Sequence, residues 1–145
     1  MHHIEKSAEI PATKSTVFDF LTDRQNAPSV VPNLNRVWDI QPPKAGVGQR
    51  WKFEFKMLGM AMQGDAEMVE FNAGELCRFT TKGMIKSTWT YRVSGTSTDR
   101  SNVTVSVDYE LPDTLWAKLG DRLAFSRINE SQAEQLLMNL AAHFS

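Results

Sequence analysis

The sequence predicts an α+β domain in which an antiparallel meander of about seven strands leads into one long helix. Three observations carry this. Apolar and polar residues alternate with period two through successive segments between Trp51 and Leu111, and only short turns separate them. The tail from Leu115 to Phe144 contains no proline and repeats apolar residues at steps of three and four. The opening run Glu9 to Asp23 reads as a strand end, a proline stop and an immediate short helix.

Pro11 lacks a backbone N–H and fixes φ, so the first strand ends before it. Thr13 is placed to cap the helix with its hydroxyl, and Val17, Phe18 and Leu21 form its apolar face. Pro28 and Pro32 interrupt Asp23 to Asn35, which suits a second short helix or an irregular corner. Val37, Trp38 and Ile40 make a strand of Arg36 to Gln41, and the Pro- and Gly-rich stretch from Pro42 to Gly48 turns the chain.

Trp51, Phe53, Phe55 and Met57 then alternate with Lys52, Glu54 and Lys56, one face buried and one wet. After a turn at Gly59, Met60, Met62, Gly64, Ala66 and Met68 share one side, opposite Gln63, Asp65 and Glu67. Asn72 to Gly74 forms a hairpin turn. Cys77 and Phe79 face one way from the next strand, and Trp89, Tyr91 and Val93 point inward from the strand spanning Ile85 to Val93. Gly95 to Asn102 reads as a polar loop. Val103, Val105, Val107, Tyr109 and Leu111 complete the meander, which Pro112 ends.

Asp113 or Thr114 can cap the final helix. Its stripe is Leu115, Leu119, Leu123, Ser126, Glu130, Ala133, Leu137, Leu140 and Phe144. Gly120 lowers helix propensity by about 1 kcal/mol relative to Ala, which favours a bend or break there.

The bulk properties bound the function. At 145 residues the chain has the size of one domain, residues 1–145, and can bury a core without metals or disulfides. A net charge of −1 with dispersed basic residues gives no footprint for nucleic acid. No apolar run approaches the roughly 18 residues of a membrane span, so stable membrane insertion is not expected. The first residues lack a signal peptide's apolar core, and a lone cysteine suits a reducing compartment, so a cytoplasmic location is expected. Seven methionines, eight phenylalanines and four tryptophans supply adaptable apolar walls or ordinary core filler.

The Ile10-Pro11-Ala12 junction between strand and helix, together with the element order β-α-α-β(6)-α over nearly the whole chain, resembles the START-like superfamily. The likeness is to its polyketide cyclase/dehydrase (SRPBCC) branch, which shares the birch-pollen-allergen fold. The resemblance implies a helix-grip fold, a curved antiparallel sheet wrapped around a long C-terminal helix with a ligand cavity between them.

Catalytic constellations are sparse. His2, His3 and His143 sit near the termini without further ligands, so neither a metal site nor a cofactor is expected. Cys77 lies on an apolar strand face and reads as a small buried hydrophobe. The buried face offers Trp51, Phe53, Phe55, Met62, Met68, Phe79, Trp89 and Tyr91 as ligand-binding candidates, with Gly64 and Ala66 leaving volume between them. Leu119, Leu123, Ser126 and Glu130 join from the helix. The expected cavity measures several hundred Å³, on the order of typical ligand sites; the alternative is a solid core.

Glu130 is the candidate ionisable group, either facing the cavity as an anchor or proton-transfer group, or rotated into solvent by a break in the helix. Asp39 is a weaker candidate, expected to be exposed. The leading functional reading is a carrier of a hydrophobic small molecule (a lipid, aromatic or polyketide-like). The rival is a polyketide cyclase/aromatase or dehydratase using the same cavity, and the third a protein-interaction module. Monomer and homodimer both remain open.

Overall fold

The strand–proline–helix junction forms as its residues require. In the computed structural model, β1 (His2–Ile10) stops one residue before Pro11. The Thr13 hydroxyl accepts from the Thr16 amide at 3.3 Å to open α1 (Lys14–Thr22). A 3₁₀ turn (Arg24–Asn26) and α2 (Ala27–Val30) make the corner, and Asp23 caps the turn by accepting from the Gln25 amide. Six strands follow: β2 (Leu34–Gln41), β3 (Arg50–Met57), β4 (Met60–Asn72), β5 (Leu76–Gly83), β6 (Lys86–Ser97) and β7 (Arg100–Glu110). The helix α3 (Arg122–His143) closes the chain. The structure describes residues 2–57, 59–83, 85–110 and 122–145, with the last group's side chains from 127 onward. The expected cap at Asp113 or Thr114, the bend at Gly120 and the first turns of the long helix lie outside these residues.

All seven strands join one antiparallel sheet in the order β1-β7-β6-β5-β4-β3-β2. Register shifts in β2, β4 and β6 mark bulges, which add local twist and help curl the sheet. Asp39, exposed as expected, takes a positive φ of 53° within the β2 irregularity, a conformation Asp tolerates better than most residues. The outer face carries cross-strand ion pairs such as Arg78–Glu70 and Arg50–Glu67. Exposed pairs of this kind contribute about 0–1 kcal/mol each.

One expectation is corrected. Residues 95–102 are not an extended polar loop: β6 runs to Ser97 and β7 starts at Arg100. Ladder bonds use backbone groups, so a polar hairpin pairs as well as an apolar one, here through Ser94↔Asn102 and Gly95↔Ser101.

The core lies between the concave sheet face and the helices. Val103, Val105, Ile10, Met68 and Cys77 are fully buried on the sheet side, and Leu136 and Leu140 on α3. The helix packs most heavily on β1 and also touches α2, where the Asn139 amide donates to the Val30 carbonyl at 3.0 Å. Lys6 of β1 pairs with Glu134 of α3 at 3.1 Å. These contacts fix the helix over one side of the sheet and leave space along the other.

Gly64 is where strand and ring approach most closely. A Cβ there would lie 2.5 Å from the Lys82 carbonyl oxygen and 2.7 Å from Phe53 Cζ. The ring folds over the glycine, so the small residue does not leave open volume. Gly64→Ala is expected to cost about 1–3 kcal/mol, because the Lys82 backbone cannot yield without opening the β4–β5 ladder. Chemical denaturation measures it. A loss under about 0.5 kcal/mol, the range of an inconsequential surface change, would mean that the strands part without penalty.

Candidate functional site

Between the sheet's inner face and α3 lies a cavity of about 160 Å³. Phe53 and Phe55 of β3, Trp51 beside them, Phe79 of β5, and Trp89 and Tyr91 of β6 form much of its wall. All six were expected there. Trp51 and Phe79 meet edge to face at 5.2 Å, and Phe79 lies parallel to Trp89 at 6.0 Å. The volume is well below the several hundred Å³ expected, because these rings occupy the space that the small β4 residues were expected to release. Phe53 pairs across the ladder with Gly64, and Trp51 with Ala66.

Met62, Ala66 and Met68 are buried in the core but are not part of the cavity wall. Period two assigns their face correctly and says nothing about depth. Leu119 lies outside the described residues, as do the side chains of Leu123 and Ser126.

Of the two orientations open for Glu130, the structure shows the solvent-facing one: it is exposed and absent from the cavity wall, so the cavity-facing anchor role is corrected. The helix face toward the cavity carries Asn129, Gln132, Ala133 and Leu136. Counting back from Ala133, the apolar stripe can take either three residues to Glu130 or four to Asn129, and the folded helix uses four.

Two sets stand out among the polar groups of the wall. Thr81 Oγ1 and Ser87 Oγ lie 2.5 Å apart, and the Trp89 indole donates to Ser87 at 3.1 Å. These hydroxyls and the indole are occupied with one another. Arg24 and Asn129 are different. Arg24, 3% exposed, opens the 3₁₀ turn and holds its guanidinium 5.0 Å from the Trp51 ring and 5.1 Å from Phe79. One terminal nitrogen donates to the Leu21 carbonyl, while Nε is buried without a partner. Asn129 Nδ2 is likewise buried and unmatched. Neither residue was singled out in the sequence. Arg24 sits in the polar run Thr22-Asp23-Arg24-Gln25-Asn26, which reads as surface.

Among the described wall residues there is no Asp or Glu; the cations are Arg24 and the exposed Lys56. Arg24 and Val37 also border an outer groove of about 520 Å³, larger but polar, with Asp23, Gln25 and Asp39 on its rim. The apolar cavity, open to solvent on one side, is the better candidate site despite its smaller volume, since apolar walls with few polar groups bind small molecules.

Burial shifts two acids in this region. The Cys77 thiol is pushed from 9.0 up to about 11 by desolvation, which the Arg24 charge partly opposes. Desolvation likewise raises the Tyr91 phenol, and Arg24 again opposes it. Both groups are therefore neutral near pH 7, so Cys77 is not a ready nucleophile. A folded-state value above the unfolded one means that stability is full below about pH 9 and declines as pH rises through about 11. A rise of this size corresponds to about 3 kcal/mol. Thermal melts from about pH 8 to beyond the folded-state value are expected to show a fall that is shallower in Cys77→Ala. Equal slopes would contradict a buried neutral thiol.

The described residues contain no helix long and apolar enough to cross a membrane. No curated protein matches the chain. Among solved structures, TTHA0849 from Thermus thermophilus is similar at 17% identity and TM-score 0.82, covering 97% of this chain and 95% of that one. The Zhui aromatase/cyclase from Streptomyces sp. R1128 gives 12% and 0.79, with 98% and 92% covered. A START superfamily protein from Mycobacterium smegmatis gives 14% and 0.66, with 94% and 99% covered. At these identities the likeness establishes the fold, the helix grip expected from the sequence. The sequence pattern described as "Polyketide cyclase / dehydrase and lipid transport" matches residues 1–145, the full stretch that builds sheet, corner and helix, and the chain belongs to that family.

Proposed function

We propose that the protein is a cytoplasmic carrier that takes a small apolar ligand into the cavity between sheet and α3. The observation that carries this reading is the cavity wall itself: Trp51, Phe53, Phe79 and Trp89 enclose space that they do not fill, and no described wall residue is a carboxylate. Apolar area supplies affinity at roughly 25 cal/mol per Å² removed from water. The described wall offers no acid–base pair.

The cyclase reading draws on the family description, which names polyketide cyclases beside lipid transport, and its proton donor would be the neutral Tyr91 phenol on the wall. Size weighs against it. A cavity of about 150 Å³ lined by apolar side chains takes up one benzene ring, and 160 Å³ is of that size. A chain long enough to close several rings exceeds that volume and would have to extend out through the cavity's open side.

The test is uptake of toluene, followed through the indole N–H signals of Trp51 and Trp89 by NMR. Saturable shifts at both indoles support the carrier, and unchanged signals at millimolar toluene would sink it. Mass spectrometry under non-denaturing conditions then separates the two readings. A co-purified ligand released chemically unchanged after incubation fits a carrier, whereas conversion that stops in Tyr91→Phe fits the enzyme.

A further inference from the structure

We infer that the ligand is a small carboxylate, ring-sized in its apolar part, whose anionic end is received by Arg24 with Asn129 as a second donor. This deepens the carrier reading and rests on it. A buried cation is costly unless an opposite charge or hydrogen bonds compensate. Arg24 is 3% exposed, has no ion-pair partner among the described residues, and leaves Nε unmatched. The aromatic faces of Trp51 and Phe79 and the Leu21 carbonyl compensate it only in part.

The second orphan is also a donor. Asn129 Nδ2, from α3, borders the same cavity. Of the wall's other polar side chains, Thr81, Ser87 and Trp89 are already bonded to one another. What the described wall lacks is therefore negative charge to match its cation, and a carboxylate brings that charge together with two acceptor oxygens. One enclosed cation calls for a monoanion, since a dianion would leave its second charge buried and unpaired. The volume of about 160 Å³ limits the apolar body to about one ring, and the aromatic wall suits a flat one.

Benzoate and nitrobenzene make the probe pair, having nearly the same shape and two acceptor oxygens but differing in charge. Calorimetric titration of the full chain is expected to show benzoate binding at least about tenfold tighter, the scale of a charge-assisted hydrogen bond. In Arg24→Gln and Arg24→Met that preference for benzoate over nitrobenzene disappears. Asn129→Ala weakens both probes to a similar degree, because a neutral donor serves either. The Arg24 Nε–H resonance moves further with benzoate than with nitrobenzene, a readout that stands even where a variant folds poorly. Equal affinities in the unmodified protein, or a benzoate preference surviving in Arg24→Met, would overturn the inference and leave the carrier intact. Failure of both probes to bind would overturn the two together.

Discussion

Trp51→Ala is expected to lower stability by about 3 kcal/mol and at the same time widen the ligand range. Truncating a buried aromatic side chain costs roughly 3–5 kcal/mol, the lost transfer energy plus the cavity left behind. Trp51 is 4% exposed and touches Phe79 and the Arg24 guanidinium, so most of its surface loses partners. One part of the ring already faces the cavity, however, and those atoms have few contacts to lose. That places the cost at the low end of the range, about 6–12 °C in melting temperature for a domain of this size. The enlarged space should admit 2-naphthoate, which the unmodified cavity excludes, while benzoate binds more loosely. A loss of about 3 kcal/mol with no change in which ring sizes bind would make Trp51 a core residue and remove it from the site.

The sheet was legible because its signals are local. Trp51 to Met57 and Val103 to Tyr109 alternate by residue type, and the missing N–H of Pro11 fixes where β1 stops. The wall was partly legible for the same reason: Trp51, Phe53, Phe79, Trp89 and Tyr91 share the inner face by parity alone. Depth along that face was not. Met62 and Met68 obey the same parity as Phe53, yet lie in packed core away from the cavity wall, a distinction made by neighbours distant in sequence.

The two donors were hidden for different reasons. Asn129 and Glu130 are adjacent on a helix whose period lies between three and four, so a stripe drawn by steps can pass through either. Arg24 follows a helix end in a polar stretch, where every neighbour suggests solvent. Its burial arises only when the corner folds over Trp51 and Phe79. An unpaired cation against an apolar cavity is the kind of local conflict that marks functional positions.

Arg24→Met tests that conflict by stability alone, and the expected sign is a gain. Replacing buried ionic groups by apolar residues of similar volume is often neutral or stabilising by about 1–4 kcal/mol. Among the described residues Arg24 lacks even the ion pair that such groups ordinarily have, and its Nε is unmatched. Methionine keeps an unbranched, polarizable side chain of comparable volume that ends short of the guanidinium carbon and leaves no polar group to desolvate. Against this stand the lost cation–π contacts and the Leu21 carbonyl left without its side-chain donor. The desolvation cost of the guanidinium is the larger quantity, so the ligand-free variant should melt roughly 3–10 °C higher. The same substitution removes the charge that holds the Cys77 and Tyr91 values down. The alkaline decline in stability should therefore run on to higher pH and end deeper, a change that a purely structural repacking does not produce. If Arg24→Met instead melts lower by several degrees, the guanidinium is a strut of the corner. A higher melting point joined to lost benzoate preference means that the fold retains a destabilising cation for the ligand it receives.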